Sequence, residues 1–395
     1  MSRSRRSRSQ RQRRGPQWGF PLPKDLRETL GGEGELEGLL SKIENPALLT
    51  QRYVPYPRGG LPQTKWEWEI DGINYKNNAW QGIEEMIGSL HLNLISEWLN
   101  KIRSRKCQME GALCQNGYKI RKTSVKVAWR LVIGMGLPSP MEVGLTLHHI
   151  YGFPYLPGSS VKGVTRNWRI QQMADELKIP RLSPQEMEGR GKPTPWQLLE
   201  RLLMFPKRED WDKLKEALKE IAQLPDFNEI KGELEEFSRI FGSTDAKGEV
   251  LFFDAYPDSL SIEGKPILEL DVMTPHYGEY YTGESPPADY LSPKPVLFLV
   301  VREGASFTIR LASRCSTLLN KAEGWVKEAL QEFGLGAKTG AGYGELIYEE
   351  ESDGYGSGKD SRSHIARVKT YHRRNQGFKG RSETDWPEPL LYGDC

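Results

Sequence analysis

The chain has no apolar run of the roughly 18 residues that a membrane-crossing helix needs, so no membrane partner is expected of its 395 residues. Its basic start is not followed by an apolar segment, which excludes a secretory signal as a reading of the N-terminus. Cysteine is scarce: Cys107, Cys114, Cys315 and Cys395 are all there are. Only the first two are close in sequence, and their spacing is neither C-x-x-C nor that of a zinc finger. Free thiols in a reducing cytoplasm are the expectation, with no metal and no cofactor. An excess of either charge is missing as well, since 55 Lys and Arg nearly cancel 53 Asp and Glu. Global charge therefore does not announce a nucleic-acid partner, and local distribution has to.

What is present is enough apolar and aromatic material for a full core, with 11 Trp and 16 Tyr. Residues Met1–Arg14 are almost only Ser, Arg and Gln, and their arginines have no compensating acid. Such a segment cannot bury apolar surface, so residues 1–20 read as a disordered tail. It is either a phosphate-seeking arm or a solubilising extension. Residues 21–122 read as a mostly helical extension, 123–350 as the core, and 351–395 as a flexible basic tail.

Periodicity places the elements. Ile83, Ile87, Leu90, Leu94, Trp98 and Ile102 form one helical stripe, which ends in the cations Lys101, Arg103, Arg105 and Lys106. The alternation of Val125, Val127, Trp129, Leu131 and Ile133 predicts a strand over 123–133. A helical insertion is expected at about 174–240, then strands at 249–256 and 267–273. The runs Val296–Val301 and Ser306–Leu311 flank Arg302–Ala305 and read as a hairpin. A helix over 317–333 with Ser316 as its cap precedes a last strand at 345–350. This order predicts an α+β class, with a ferredoxin-like split β-α-β arrangement as the best fit.

The sharpest chemical feature is the loop Gly334–Gly344, with glycine at 334, 336, 340, 342 and 344. Glycine permits positive φ and close approach, and successive free amides form an anion nest. Lys338 and Thr339 add a cation and a hydroxyl. The order helix, loop, strand excludes a mononucleotide P-loop and a dinucleotide fingerprint, both of which open a helix. A second candidate is Gly158–Gly163, where Ser159 or Ser160 could cap a helix whose N-terminal amides attract anions. Lys162, Arg166 and Arg169 are spaced to share one face of that helix. This face is either a phosphate track or an ordinary solvated surface. His148 and His149, adjacent in an extended segment, should point to opposite faces. His276 with Tyr277, Tyr280 and Tyr281 suits base stacking or a subunit contact.

Taken in order, four segments resemble the RAMP superfamily of CRISPR–Cas proteins. They are Gly158-Ser-Ser-Val-Lys-Gly163 after Tyr-Leu-Pro, Phe241-Gly-Ser with Gly248–Tyr256, Asp271–Tyr277 with Tyr280-Tyr281, and Gly334–Gly344. The third narrows the resemblance to the sixth subunit of the Cmr complex, the type III-B effector. The resemblance implies a ferredoxin-like (RRM-like) RAMP core with a helical insertion and a helical N-terminal extension. It implies a non-catalytic, guide-RNA-binding subunit of an antiviral ribonucleoprotein, near the 3′ end of the guide. The implied partners are the CRISPR guide RNA, complementary target RNA, the repeated backbone subunit, the small helical subunit and the other end-capping RAMP subunit. It carries over Ser159, Ser160, Lys162, Gly163, Gly336, Lys338, Thr339, Gly340 and Gly342 as RNA contacts. The rival expectation is a metal-independent RAMP endoribonuclease that processes precursor guide RNA, with His148, His149 or His276 as general base.

Overall fold

Strand β1 (Lys119–Val127) is the organising element of the computed structural model. The structure describes residues 92–348 apart from 138, 140–142, 180–194, 218–224 and 275–294, with a few short stretches before residue 92. Val125 and Val127 of β1 are fully buried, whereas Lys122 and Lys126 on the alternate positions are exposed. That alternation lets one face carry the core and the other meet polar partners.

Four strands form one antiparallel sheet in the order β6–β1–β5–β2. Here β2 is Leu251–Phe253, β5 is Ser306–Ser313 and β6 is Leu346–Tyr348. Phe307 pairs with Val125 and Ile309 with Thr123, so the apolar positions of β5 and β1 share a face. Two helices pack there, α2 (Gly158–Glu176) and α6 (Ser316–Phe333). Helix α6 turns Leu318, Leu319, Ala322, Val326, Ala329 and Leu330 inward, at the three- and four-residue steps expected of it. Its cap is Cys315, and Ser316 is already its first helical residue. At the junction of the two helices Trp168 Nε1 donates to Glu332 at 2.9 Å.

Helix α1 (Leu92–Gln115) covers part of the other face. Its Glu110 carboxylate lies 2.6 Å from Lys122 on β1 and 2.7 Å from Arg310 on β5. Those cations hold the Glu110 carboxyl below the usual range, against the opposing effect of burial. The helix continues ten residues past Arg105, so the cluster Lys101–Lys106 lies mid-helix and does not complement a C-terminal dipole. The inward positions are Leu99 and Ile102, while Trp98 stands 45% exposed. Between residues 18 and 74 the described pieces are two-residue antiparallel pairs, together with Asn45 and the buried, helical Ala47.

The region 174–240 carries three short helices, α3 (Pro195–Met204), α4 (Arg208–Ala217) and α5 (Phe227–Phe241). They bury Leu199, Leu202, Trp211, Leu214, Leu234 and Phe237 and join the same core. No helix of the described residues is long and apolar enough to cross a membrane.

The expected hairpin does not form. Val296–Val301 (β4) pairs with Leu268–Met273 (β3), and Ser306–Ser313 pairs with β1 and β2. At the end of β4, Val301 exchanges both backbone hydrogen bonds with Leu131, which leads the chain away from the main sheet. The strand expected over 123–133 likewise ends at Val127. Beyond it, Ala128–Val132 is held by the loop that follows α6.

Candidate nucleic-acid interface

The glycine-rich loop is folded onto the segment after β1. Gly344 N–H donates to the Arg130 carbonyl (2.7 Å), Ala337 N–H to the Val132 carbonyl (2.8 Å), and Ala128 N–H to the Glu345 carbonyl (2.9 Å). The loop closes on itself through Leu335 N–H to the Gly344 carbonyl at 2.8 Å. These bonds bring backbones so close that side chains are excluded. A Cβ on Gly336 would stand 2.3 Å from the Val132 oxygen, and one on Gly344 would stand 2.0 Å from the Leu335 oxygen. Both residues also have positive φ. Much of the glycine content is thus spent on this close approach.

The outer turn is different. Lys338 adopts the left-handed conformation with φ 57° and ψ 31°. Its carbonyl accepts from Ala341 at 2.9 Å and Tyr343 at 3.3 Å. Among the described residues, no hydrogen bond engages the amides of Lys338, Thr339 and Gly340. Lys338 and Gly340 are exposed, and a Cβ on Gly340 would meet nothing within 4 Å. Left-handed and right-handed residues in succession turn neighbouring N–H groups to one side, the geometry of an anion nest.

A charged network anchors this turn. Tyr343 Oη donates to Asp271 Oδ2 at 2.6 Å. Arg130 reaches Asp271 at 2.9 Å and Glu269 at 3.0 Å, and Arg302 reaches Glu269 at 2.5 Å. Burial first and the bond to Asp271 second push the Tyr343 hydroxyl up to about 12. Burial opposes the Arg130 charge, but Glu269 and Asp271 raise the guanidinium above its ordinary value. Both arginines are therefore committed to carboxylates. Lys338 forms no ion pair among the described residues and is the cation the turn offers outward.

The helix start at Gly158 is built otherwise than the sequence suggests. Its cap is Pro157, and Ser159 and Ser160 lie within the first turn without capping hydrogen bonds. The Gly158 amide donates to Asp254 Oδ1 at 2.8 Å. The protein's own carboxylate thus occupies the position where an anion would bind. A Cβ on Gly158 would stand 2.4 Å from the Phe252 oxygen, whereas one on Gly163 would meet nothing within 4 Å. Arg169 is 8% exposed. It bonds to Glu176 at 2.8 Å and Glu233 at 2.9 Å, and lies 5.4 Å over the Trp325 ring. That removes it from the expected row of cations. Arg166 faces Glu200 at 3.6 Å, and Lys162 is half-buried with its ammonium pulled below the ordinary value, by burial first and Arg166 second. The two candidate segments do not converge. Gln172 bonds Glu332 beside the loop, and Ser159 lies thirteen residues earlier on the same helix, about 20 Å away at ~1.5 Å per residue.

His148 and His149 stand in a turn closed by Gly152 N–H to the His148 carbonyl, not in a strand. Their rings therefore stack, with centroids 5.4 Å apart, where opposite faces were expected. Tyr151 and Phe153, at 4.7 and 5.7 Å, also surround His148. Burial pulls its pKa down, and His149 adds to that. Nearby, Lys106 lies 3.8 Å over the Tyr256 ring and donates to the Asp254 carbonyl. Burial first and Arg310 second lower the Lys106 ammonium to about 8. His276, Tyr277, Tyr280 and Tyr281, and the tails 1–17 and 349–395, lie outside the described residues.

Sequence reasoning missed Trp129, Arg130, Tyr343 and Asp254. Alternation places Trp129 in the expected strand with Val125 and Val127, yet the strand ends at Val127 and Trp129 is 40% exposed.

The sequence model of the RAMP superfamily matches residues 129–347, from Trp129 to the last strand. The chain belongs to the RAMP superfamily. It is 37% identical over 339 residues to the CRISPR system Cmr subunit Cmr6 of Pyrococcus furiosus, covering 78% of this chain and 97% of that protein. A crystal structure of Cmr6 from Pyrococcus furiosus is 33% identical, with a TM-score of 0.39 over 60% of this chain and 99% of that one. A chain of the cryo-EM structure of the Type III-B Cmr-beta bound to cognate target RNA is 18% identical, with a TM-score of 0.45 over 73% of this chain and 77% of that one. The membership rests on the sequence matches and not on the superpositions.

Proposed function

We propose that this RAMP protein is a non-catalytic, guide-RNA-binding subunit of a type III-B (Cmr) RNA-targeting ribonucleoprotein. It caps the 3′-end side of the guide and assembles with the repeated backbone subunit, the small helical subunit and the other end-capping RAMP subunit in antiviral defence. The similarity to Cmr6 supports that setting. The core is a ferredoxin-like unit. Its element order β1-α2-β2-β5-α6-β6 and strand order β6–β1–β5–β2 support this assignment.

One observation carries the RNA reading. The outer turn of the Gly334–Gly344 loop directs the Lys338 ammonium and the amides of Lys338, Thr339 and Gly340 outward from a rigid base. This turn suits guide phosphates; Gly336 and Gly342 shape it and lie beside the contact. Ser159, Ser160, Lys162, Gly163 and Arg166 form a second contact farther along, through the outer surface of the helix and not through its amide end, which Asp254 occupies, with Arg169 acting structurally. Phosphate contacts of this kind weaken with salt as counterions are released. Lys338→Glu in the tagged chain, purified from its host, should reduce the guide RNA that co-purifies. Unchanged assembly and RNA content would sink the role of the loop.

The stacked His148–His149 pair near Lys106 favours one second reading, a metal-independent endoribonuclease with His148 as general base. Incubation with repeat RNA in chelator separates the two. Cleavage abolished by His148→Ala would replace the first reading with the second.

A further inference from the structure

The loop does not act alone at its outer edge. Trp129 stands beside it, and the ring is held on several sides while remaining 40% exposed. The Tyr343 ring lies 4.9 Å away, tilted by 52°. The Arg130 guanidinium lies 5.2 Å over the Trp129 ring and is fixed by Asp271 and Glu269. On the loop side Gly342 has φ 94°, and even a Cβ there would stand 3.7 Å from the ring carbon Cε3. The absence of a side chain at Gly342 leaves the indole open next to the turn that carries Lys338. A large exposed aromatic side chain normally costs solubility and ordering. Here the surroundings spend an ion-paired arginine and a hydrogen-bonded tyrosine on fixing it in place.

We propose that Trp129 is a stacking platform for a nucleobase of single-stranded RNA whose phosphate lies on the Lys338–Gly340 turn. The inference rests on the RNA reading of the loop and adds a second chemistry to it. Amides and an ammonium take the backbone charge, and an indole takes the adjoining base. Stacking on an aromatic ring is tolerant of sequence because every base has a π-face. The site therefore holds a guide of any sequence, with preference for a based over an abasic nucleotide. The cation–π contact from Arg130 orients the indole without spending the Lys338 charge.

The test uses the full chain and two fluorescent probes of equal length, an oligouridylate and an oligomer of abasic sugar–phosphate units. The variants are Trp129→Leu, which keeps apolar bulk against Gly342 and Tyr343, Trp129→Phe, which restores a π-face, and Lys338→Glu. Thermal melts check each fold. The expected result for Trp129→Leu is a loss of roughly 5- to 100-fold for oligouridylate, no change for the abasic probe, and an unaltered salt dependence. Trp129→Phe should recover most of the affinity. Lys338→Glu should weaken both probes and flatten the salt dependence. Equal weakening of both probes by Trp129→Leu would make the ring a mere support of the loop and overturn the inference. No effect of Trp129→Leu beside a clear effect of Lys338→Glu would overturn it while leaving the loop reading intact. No effect of any variant would overturn both.

Discussion

The Tyr343 hydroxyl donates to a carboxylate oxygen of Asp271 across 2.6 Å. This single bond joins the glycine-rich loop to β3, and through Asp271 to Arg130 at the base of the turn. Tyr343→Phe keeps the ring against Trp129 but leaves the carboxylate one donor short. It should cost about 1.5–3 kcal/mol, the range for hydrogen bonds to charged groups, measured by denaturant unfolding.

The same bond has a pH signature. The folded-state value of Tyr343 is about 12, above its ordinary 10.0. The folded protein therefore holds that proton more tightly, and the stabilisation is complete below pH 10 and lost as pH rises toward 12. The unfolding free energy measured across that window should fall less steeply with rising pH in Tyr343→Phe than in the parent. Tyr155, Tyr256 and Tyr348, also raised by burial, sustain the remaining slope.

Lys106 should act with the opposite sign. Its folded-state value, about 8, lies below the ordinary 10.5. The unfolded chain binds more protons between these values, so this residue makes stability rise with pH from about 8 to about 10. Lys106→Met should be at least as stable as the parent at neutral pH and should lack that rise. A parent curve that is flat from pH 8 to 10, and unchanged by the substitution, would contradict the burial of this ammonium.

The glycines of the loop divide into two kinds, and alanine tells them apart. Gly344→Ala meets the Leu335 oxygen and a φ of +74°, so it should destabilise by at least about 2 kcal/mol. Gly340→Ala points into open space at ordinary φ and should stay within about 0.5 kcal/mol of the parent. Equal thermal stability of the two variants would contradict the packing of the loop on Arg130–Val132.

Arg169 separates a structural cation from an RNA contact. Arg169→Met should lower stability by roughly 1–3 kcal/mol, through lost packing on Trp325 and two lost ion pairs. It should leave RNA affinity and its salt dependence as they were. A reduced salt slope in filter binding would return Arg169 to the interface.

The elements were legible where periodicity is strong. The α6 stripe Leu318–Leu330 and the β3 run each landed within a residue or two of the expected bounds. Pairing was not legible, because β4 and β5 read as hairpin arms on local grounds. The contact of Val301 with Leu131, 170 residues away in sequence, decides otherwise. Alternation also misled at Trp129, since a strand's end leaves no mark when the next residues remain apolar. The loop was recognised by composition, but composition could not divide its glycines into those that touch Arg130–Val132 and those that face outward. The helix start at Ser159 read as an anion site because Asp254, almost a hundred positions later, cannot be foreseen as its occupant.

Ultraviolet crosslinking of the complex purified from its host, read by mass spectrometry of peptide–nucleotide adducts, tests the central claim most directly. The account predicts an adduct between guide RNA and the peptide carrying Lys338–Tyr343, absent from the Lys338→Glu complex. Crosslinks from that peptide to neighbouring subunits alone, with guide RNA retained at full occupancy, would show the loop to be a subunit junction and contradict it.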